Sequence, residues 1–160
     1  MLETRIATVA DAALITAHRE AMFLAMDRGT EPVRATIRRN HEPWVARMIA
    51  ADKYVGWITS DGDRPVASAG MLILDWPPTV MDPDEVHRGY LLNVFVEPEY
   101  RRRGLARALV EQCLAEARRR RIGVVALHAS DEARPLYESL SFTATSEMYR
   151  VEPPPIQSPA

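Results

Sequence analysis

The sequence predicts an α/β domain of mixed layers, a central sheet covered by helices. Two observations predict it. Strand-like and helix-like segments follow one another in the order strand, two helical segments, an antiparallel run of strands, then strand–helix–strand–helix and a terminal strand. The 160 residues contain no internal repeat and no linker that would divide them, so residues 1–152 are expected to form a single domain.

Residues 3–7 open as a short strand. Thr8 can start a helix, with Asp11 favouring its positive end; Val9, Ala13, Ala17, Met22 and Leu24 supply apolar positions, and Gly29 can close it. Thr30 before Glu31-Pro32 marks a second start, and Pro43 is expected to break that helix before Trp44–Ala50. Residues 54–59 and 66–74 read as strands joined by "SDGDRP", an Asp-Gly turn signal. The loop "WPPTVMDPDEVHRG" leads into a strong strand, 90–96, and then a helix from about Arg103 to Arg120. "VVALHA" is another buried-looking strand, "ARPLYESL" a short helix, and two last strands are expected through Phe142 and Met148. The tail 153–160, rich in proline, is expected to be flexible.

The net charge of −2 gives no general attraction to nucleic acid or to membranes. Cys113 is the one cysteine, which excludes an intrachain disulfide and a cysteine-based metal cluster; mid-helix, it reads as a small core residue. His18, His41 and His87 lack ligand spacing, so no metal is expected. No apolar run is long enough to span a bilayer, and the N-terminus lacks a signal-peptide core, which makes the cytoplasm the expected location.

The segment richest in chemistry is Arg101-Arg102-Arg103-Gly104-Leu105-Ala106-Arg107, between a strand and a long helix. A helix N-terminus offers unpaired N–H groups and a positive dipole end, so it attracts anions. Gly104 and Ala106 leave room for a phosphate, and arginines add charge-assisted hydrogen bonds. Neither GxxxxGK[ST] nor GxGxxG is present, which argues against the two commonest nucleotide folds. The plainer alternative is a strand–turn–helix with solvated arginines. The second run, Arg118–Arg121, ends the helix, where it complements the dipole and faces solvent.

Arg101-x-x-Gly104-x-Ala106 after "VFVEPEY" resembles the acetyl-CoA motif of the GNAT superfamily of N-acetyltransferases, (Q/R)xxGx(G/A). "LHASDEARPLYESLSF" resembles that family's second motif, and the element order matches from Ile6 to about Met148. The resemblance implies a mostly antiparallel sheet of about six to seven strands flanked by about four helices. It implies acetyl-CoA as co-substrate, held along Val94, Phe95 and Val96 and by Arg101, Arg102, Arg103, Gly104, Leu105, Ala106 and Arg107 around the pyrophosphate. The Val94 N–H becomes an oxyanion donor, and Tyr137 the acid that protonates the departing thiolate. Two positions depart from the pattern: Ser130 stands where many relatives carry an Asn that bonds the cofactor arm, and Ser141 replaces the usual Gly after the short helix.

The general base is left open among Tyr90, Asn93, Glu97, His128 and water. His128, in an apolar strand, also has the plainer reading of a wall histidine, and Tyr137 that of a packing aromatic. The acceptor wall is expected from the first two helices and the loop before the cofactor strand. Met22, Phe23, Met26, Trp44 and Trp76 offer apolar surface there, and Glu31, Glu42 and Asp82 could attract a cation. A small-molecule amine is the expected partner, with no nucleic acid and no membrane, and a homodimer is possible. A protein N-terminus or lysine is the alternative acceptor, and a non-catalytic acetyl-CoA sensor the alternative function. A nucleic-acid module is disfavoured by Glu97, Glu99, Glu111 and Glu116 among the arginines.

Overall fold

The structure, a computed structural model, describes residues 1–152, so the expected tail at 153–160 lies outside the described residues. β1 (Leu2–Ile6), β2 (Tyr54–Asp61), β3 (Arg64–Asp75), β4 (His87–Val96) and β5 (Val125–Leu127) form one sheet in chain order. All neighbours are antiparallel except β4 and β5, which run parallel. The helices are α1 (Ala12–Ala25), α2 (Glu31–Ala50), α3 (Leu105–Arg119) and α4 (Arg134–Glu138). The chain divides into two compact units, Met1–His128 and the residues from Ala129 on.

In the first unit, Tyr54–Thr59 of β2 and Val66–Met71 of β3 are buried without alternation. Unbroken burial requires helices on both faces of the sheet. α1 and α2 share a cluster with Ala7, Tyr54 and Ile58, while α3 packs along β3 and β4 through Leu109, Val110, Cys113 and Ala117. The β2–β3 hairpin turns at Gly62, whose φ of +58° fits the first central position of a two-residue loop.

Three expectations are corrected. The sheet has five strands among the described residues, not six to seven, because Phe142 and Met148 lie in no strand. Residues 143–150 are exposed throughout, and strand propensity without a pairing partner or a buried face does not make a strand. Pro43 does not break α2. It withholds the N–H that Arg39 would accept, at a cost of ~3 kcal/mol, and burial of His41 and Val45 on either side of it holds the helix together. The inner face of α1 is not the expected one: Ala13, Ala17 and Leu24 are exposed, whereas Ala12, Ile15, Thr16 and His18 are buried. That face escapes an apolar pattern because its polar members are paired, Thr16 with His41 and His18 with Ser68.

Every α-helix ends in the same way. The backbone of Asp27, Asp52, Arg121 and Ser141 is left-handed, and the N–H of the next residue reaches back five positions, as in Arg28 to Phe23 O and Ile122 to Ala117 O. This is the Schellman closure, so Asp27 rather than the expected Gly29 ends α1. Among the described residues two other non-glycine residues have positive φ, Asn93 at +56° and Arg102 at +63°. Neither ends a helix.

Candidate active site

Asn93 sits where β3 and β4 lose register. Ser68 faces Phe95 and Gly70 faces Leu92, so Asn93 and Val94 together oppose one residue, Ala69. This is a β-bulge, and Asn tolerates the left-handed conformation better than most residues. The bulge changes which way the backbone points. Gly89 N–H donates to Val124 O on the β5 side, but Glu97 N–H donates to Val66 O on the β3 side. Both numbers are odd, and an unbroken strand would turn both groups the same way. Past the bulge, therefore, Val94 and Val96 turn their N–H and C=O groups away from β3, while Phe95 pairs with it. Arg101 Nε, 3.2 Å from Val96 O, agrees with that direction.

On that outer side β5 pairs with β4 only from Gly89 to Leu91. Among the described residues no strand pairs with the β4 edge beyond Leu91, so Val94 and Val96 face an open strand edge able to accept an extended amide chain. Tyr90 and His128 are hydrogen-bonded to each other beside the end of the pairing.

The bulge is held from beneath. Asn93 Oδ1 accepts from Arg19 Nη1 at 2.6 Å, and its Nδ2 donates to Tyr54 Oη at 3.2 Å. Tyr54 reaches it by lying across the paired Gly56 and Gly70; a Cβ at Gly70 would overlap the phenol. Burial pushes the Tyr54 phenol well above its usual range. Asn93, a buried amide occupied on both sides, is thereby removed from the candidate bases. The sequence reading missed this network, although an Asn inside an apolar strand was an available signal of a left-handed kink.

At the end of β4, Pro98–Tyr100 forms a 3₁₀ turn that leads to the arginines. Gly104 is the N-cap of α3 with φ +80°, and a Cβ placed there would meet nothing within 4 Å. No side chain caps the helix, and its first return bond runs from Ala108 N to Gly104 O, so the N–H groups of Leu105, Ala106 and Arg107 precede the ladder. The helix begins at Leu105, two residues later than expected. The arginines differ in use. Arg101 holds Val96 O; Arg103 donates to Glu99 O at 2.8 Å and stacks on Tyr100; Arg107 lies 3.7 Å from Glu111. Among the described residues Arg102 has no hydrogen-bond or ion-pair partner. Uncapped N–H groups, an open approach and an available guanidinium fit the pyrophosphate of acetyl-CoA.

The other candidates have separate fates. Burial pushes the Cys113 thiol up to about 12, which makes it inert as a nucleophile. Burial lowers His18 to about 4, and burial together with the charge of Arg19 lowers His41 to about 4. Asp82 accepts the Gly123 N–H at 2.7 Å, and Glu31 pairs with Arg34 and Arg38, so two of the three acids expected to attract a cation are engaged. Trp44 packs with the α1–α2 cluster, and Trp76 stacks on Arg88.

In the second unit, Tyr137 is buried in the last turn of α4, with its ring edge-on to Phe142 at 5.8 Å. Ser130 opens the turn before α4: its carbonyl accepts from Ala133 and Arg134, and its Oγ accepts from Ala133 at 3.3 Å. The serine at the expected cofactor-arm position thus has a local role in the turn.

The model of the acetyltransferase (GNAT) family matches residues 16–142. The chain belongs to that family. A GCN5-related N-acetyltransferase from Ralstonia eutropha is 33% identical, with a TM-score of 0.90 over 95% of this chain and 99% of that one. A predicted acetyltransferase from Clostridium acetobutylicum, solved with acetyl-CoA, is 25% identical, with a TM-score of 0.87 over 95% of this chain and 96% of that one. The ribosomal protein bS18-alanine N-acetyltransferase of Escherichia coli is 30% identical over 62% of this chain, and the match spans 64% of that protein. These GNAT relatives agree with the sequence resemblance in family and fold.

Proposed function

We propose that the chain moves the acetyl group of acetyl-CoA directly to a primary amine of a small molecule. The observation that carries this reading is the bulge at Asn93, which turns Val94 and Val96 to an unpaired edge that runs on toward the uncapped N-terminus of α3. A pantetheine arm can pair with that edge while Arg102 and the first turn of α3 hold the pyrophosphate. The Val94 N–H then faces the thioester carbonyl and stabilises the oxyanion that forms there. Tyr137 donates its phenolic proton to the departing thiolate. The amine proton leaves by way of the Tyr90–His128 pair, with His128 as acceptor; Tyr90 and His128 lie at the open end of the β4–β5 ladder.

The test is steady-state thiol release from acetyl-CoA over a panel of small amines, amino acids and peptides with a free N-terminus. Tyr137→Phe keeps the ring and removes the donor. It should leave acetyl-CoA binding within a few-fold and lower kcat by roughly 10²-fold, the usual scale for loss of a general acid. Wild-type turnover in Tyr137→Phe would remove that residue from the mechanism. Acetyl-CoA binding without thiol release to any amine would mark a sensor. Turnover confined to the peptides would favour the protein N-terminal reading that the bS18-directed relative suggests.

A further inference from the structure

Arg19 is a cation that the fold holds by neutral groups. It is half-buried on α1, its Nη1 held by the neutral amide of Asn93 and its guanidinium against the Phe23 ring at 4.8 Å. Its Nε is buried and has no partner. Among the described residues no carboxylate bonds to it: Glu20, the next residue, is taken by Arg38. Burial pushes its pKa down, opposed by the Tyr54 phenol and by no acid. A guanidinium stays charged in a protein, so burial without a counter-ion is unfavourable unless an anion arrives from outside.

The surroundings specify what kind of anion. His41 has a second buried, unpartnered nitrogen, Nε2, while its Nδ1 is hydrogen-bonded with Thr16 Oγ1 and its ring lies against Trp44. His41 is neutral above about pH 4, so it adds a hydrogen-bonding group and no charge. Arg19 also bonds the residue immediately before Val94, whose N–H is the proposed oxyanion donor. An anionic group held at Arg19 therefore lies close to the proposed point of transfer.

We infer that Arg19 binds a carboxylate of the acceptor, so that the preferred substrate is an amine carried near a carboxylate, as in an amino acid. The inference rests on the acetyltransfer reading and narrows its substrate class. It replaces the expectation that acids on the acceptor wall attract a cation.

The experiment compares each of the common amino acids with its own C-terminal amide, which keeps the amine and side chain and removes the charge. Thiol release from acetyl-CoA and calorimetric binding in the presence of CoA are both measured. At least one acid should exceed its amide tenfold or more in kcat/KM or in affinity with the wild-type chain, a comparison that needs no variant. Arg19→Gln and Arg19→Lys, checked for folding by their melting temperatures, should then collapse that ratio toward one, Lys retaining more of it than Gln. If no acid exceeds its amide, or the ratio survives in a folded Arg19→Gln variant, the inference is wrong. Failure of the acetyltransfer reading itself reads out separately, as absence of thiol release with every acid and every amide, whether or not acetyl-CoA alone shifts the melting temperature.

Discussion

The two ends of α3 carry nearly the same sequence and opposite roles. Arginines 101–103 stand before the helix and arginines 118–121 at its end, and each run contains one left-handed arginine, Arg102 at φ +63° and Arg121 at φ +64°. At the C-terminal end the backbone is closed and two of the arginines are held. Arg119 and Arg120 pair with Glu116, Arg120 also forks onto Asp52 at 2.6 and 2.8 Å, and Arg121 completes a Schellman closure with Ile122 buried behind it. At the N-terminal end, among the described residues, the helix is uncapped, Arg102 is unpartnered, and its left-handed backbone closes nothing. Charge count does not separate the two ends. What separates them is whether the left-handed backbone and the helix-end groups are already satisfied within the fold, and the unsatisfied end is the one that points to a ligand.

The sharpest way to break the comparison is Gly104→Glu. It sets an anion against the proposed pyrophosphate position and forces a side chain onto a φ of +80°. Saturating acetyl-CoA stabilises a native state by about 2.7 kcal/mol at 100 times Kd, and Gly104→Glu should abolish that thermal shift and all thiol release. Gly104→Ala is the control for strain alone: its Cβ meets nothing, so it should cost roughly 1 kcal/mol of stability and retain most of the shift. A folded Gly104→Glu chain with an unchanged acetyl-CoA shift would refute the cradle.

A matched pair of substitutions sharpens the contrast. Arg102→Gly and Arg121→Gly each relieve a left-handed arginine, and each should raise stability by up to about 1 kcal/mol. Their effects on acetyl-CoA should differ. Arg102→Gly should weaken binding about tenfold, the equivalent of roughly 1.4 kcal/mol and within reach of one charge-assisted contact. Arg121→Gly should leave affinity unchanged. Calorimetric titration at fixed salt reads both, and equal affinities in the two variants would erase the distinction between the ends.

The two ends also show how far the sequence was legible. The uncapped start of α3 at Gly104 could be read because its signal is local: small residues at alternating positions beside arginines at a helix start. The helix closures at Asp27, Asp52 and Arg121 could not, because these side chains are not the glycines that usually mark a left-handed end. Nor could the Arg19–Asn93–Tyr54 network, whose members lie 74 and 39 residues apart and meet only once the sheet forms. Two terminal strands were over-read at Phe142 and Met148, where local propensity lacked a partner. Ser141 was legible for the opposite reason: the position after a short helix demands one backbone conformation, and the residue complied at φ +66°.

At the C-terminal end the expected effect is smaller and purely structural. Arg120 holds the end of α3 to Asp52 at the α2–β2 turn, and Asp52 in turn is held below the usual carboxylate range, chiefly by that hydrogen bond. Arg120→Ala should cost about 1 kcal/mol, the scale of a partly exposed ion pair with good geometry, and should leave the acetyl-CoA thermal shift intact. Loss of cofactor binding in a folded Arg120→Ala chain would mean that the two ends of α3 are not independent.

The smallest effect is expected at Ser141. Its N–H reaches Glu138 O and that of Phe142 reaches Tyr137 O, both at 3.0 Å, while the Phe142 ring meets the Tyr137 edge. That closure fixes the turn carrying Tyr137, so a relaxed backbone there bears on the proposed acid without touching its hydroxyl. Glycine removes the Cβ strain of a left-handed residue, on the order of 1 kcal/mol, and returns part of the gain through a more flexible unfolded chain. Ser141→Gly should therefore be neutral or stabilising by less than about 1 kcal/mol in chemical denaturation, with kcat unchanged. Gly104 and Ser141 adopt the same sign of φ, yet only a change at Gly104 should reach the cofactor. A marked loss of stability in Ser141→Gly would show that the serine hydroxyl supplies a bond the closure needs. A fall in kcat at unchanged stability would show instead that the geometry of Tyr137 depends on the strained serine.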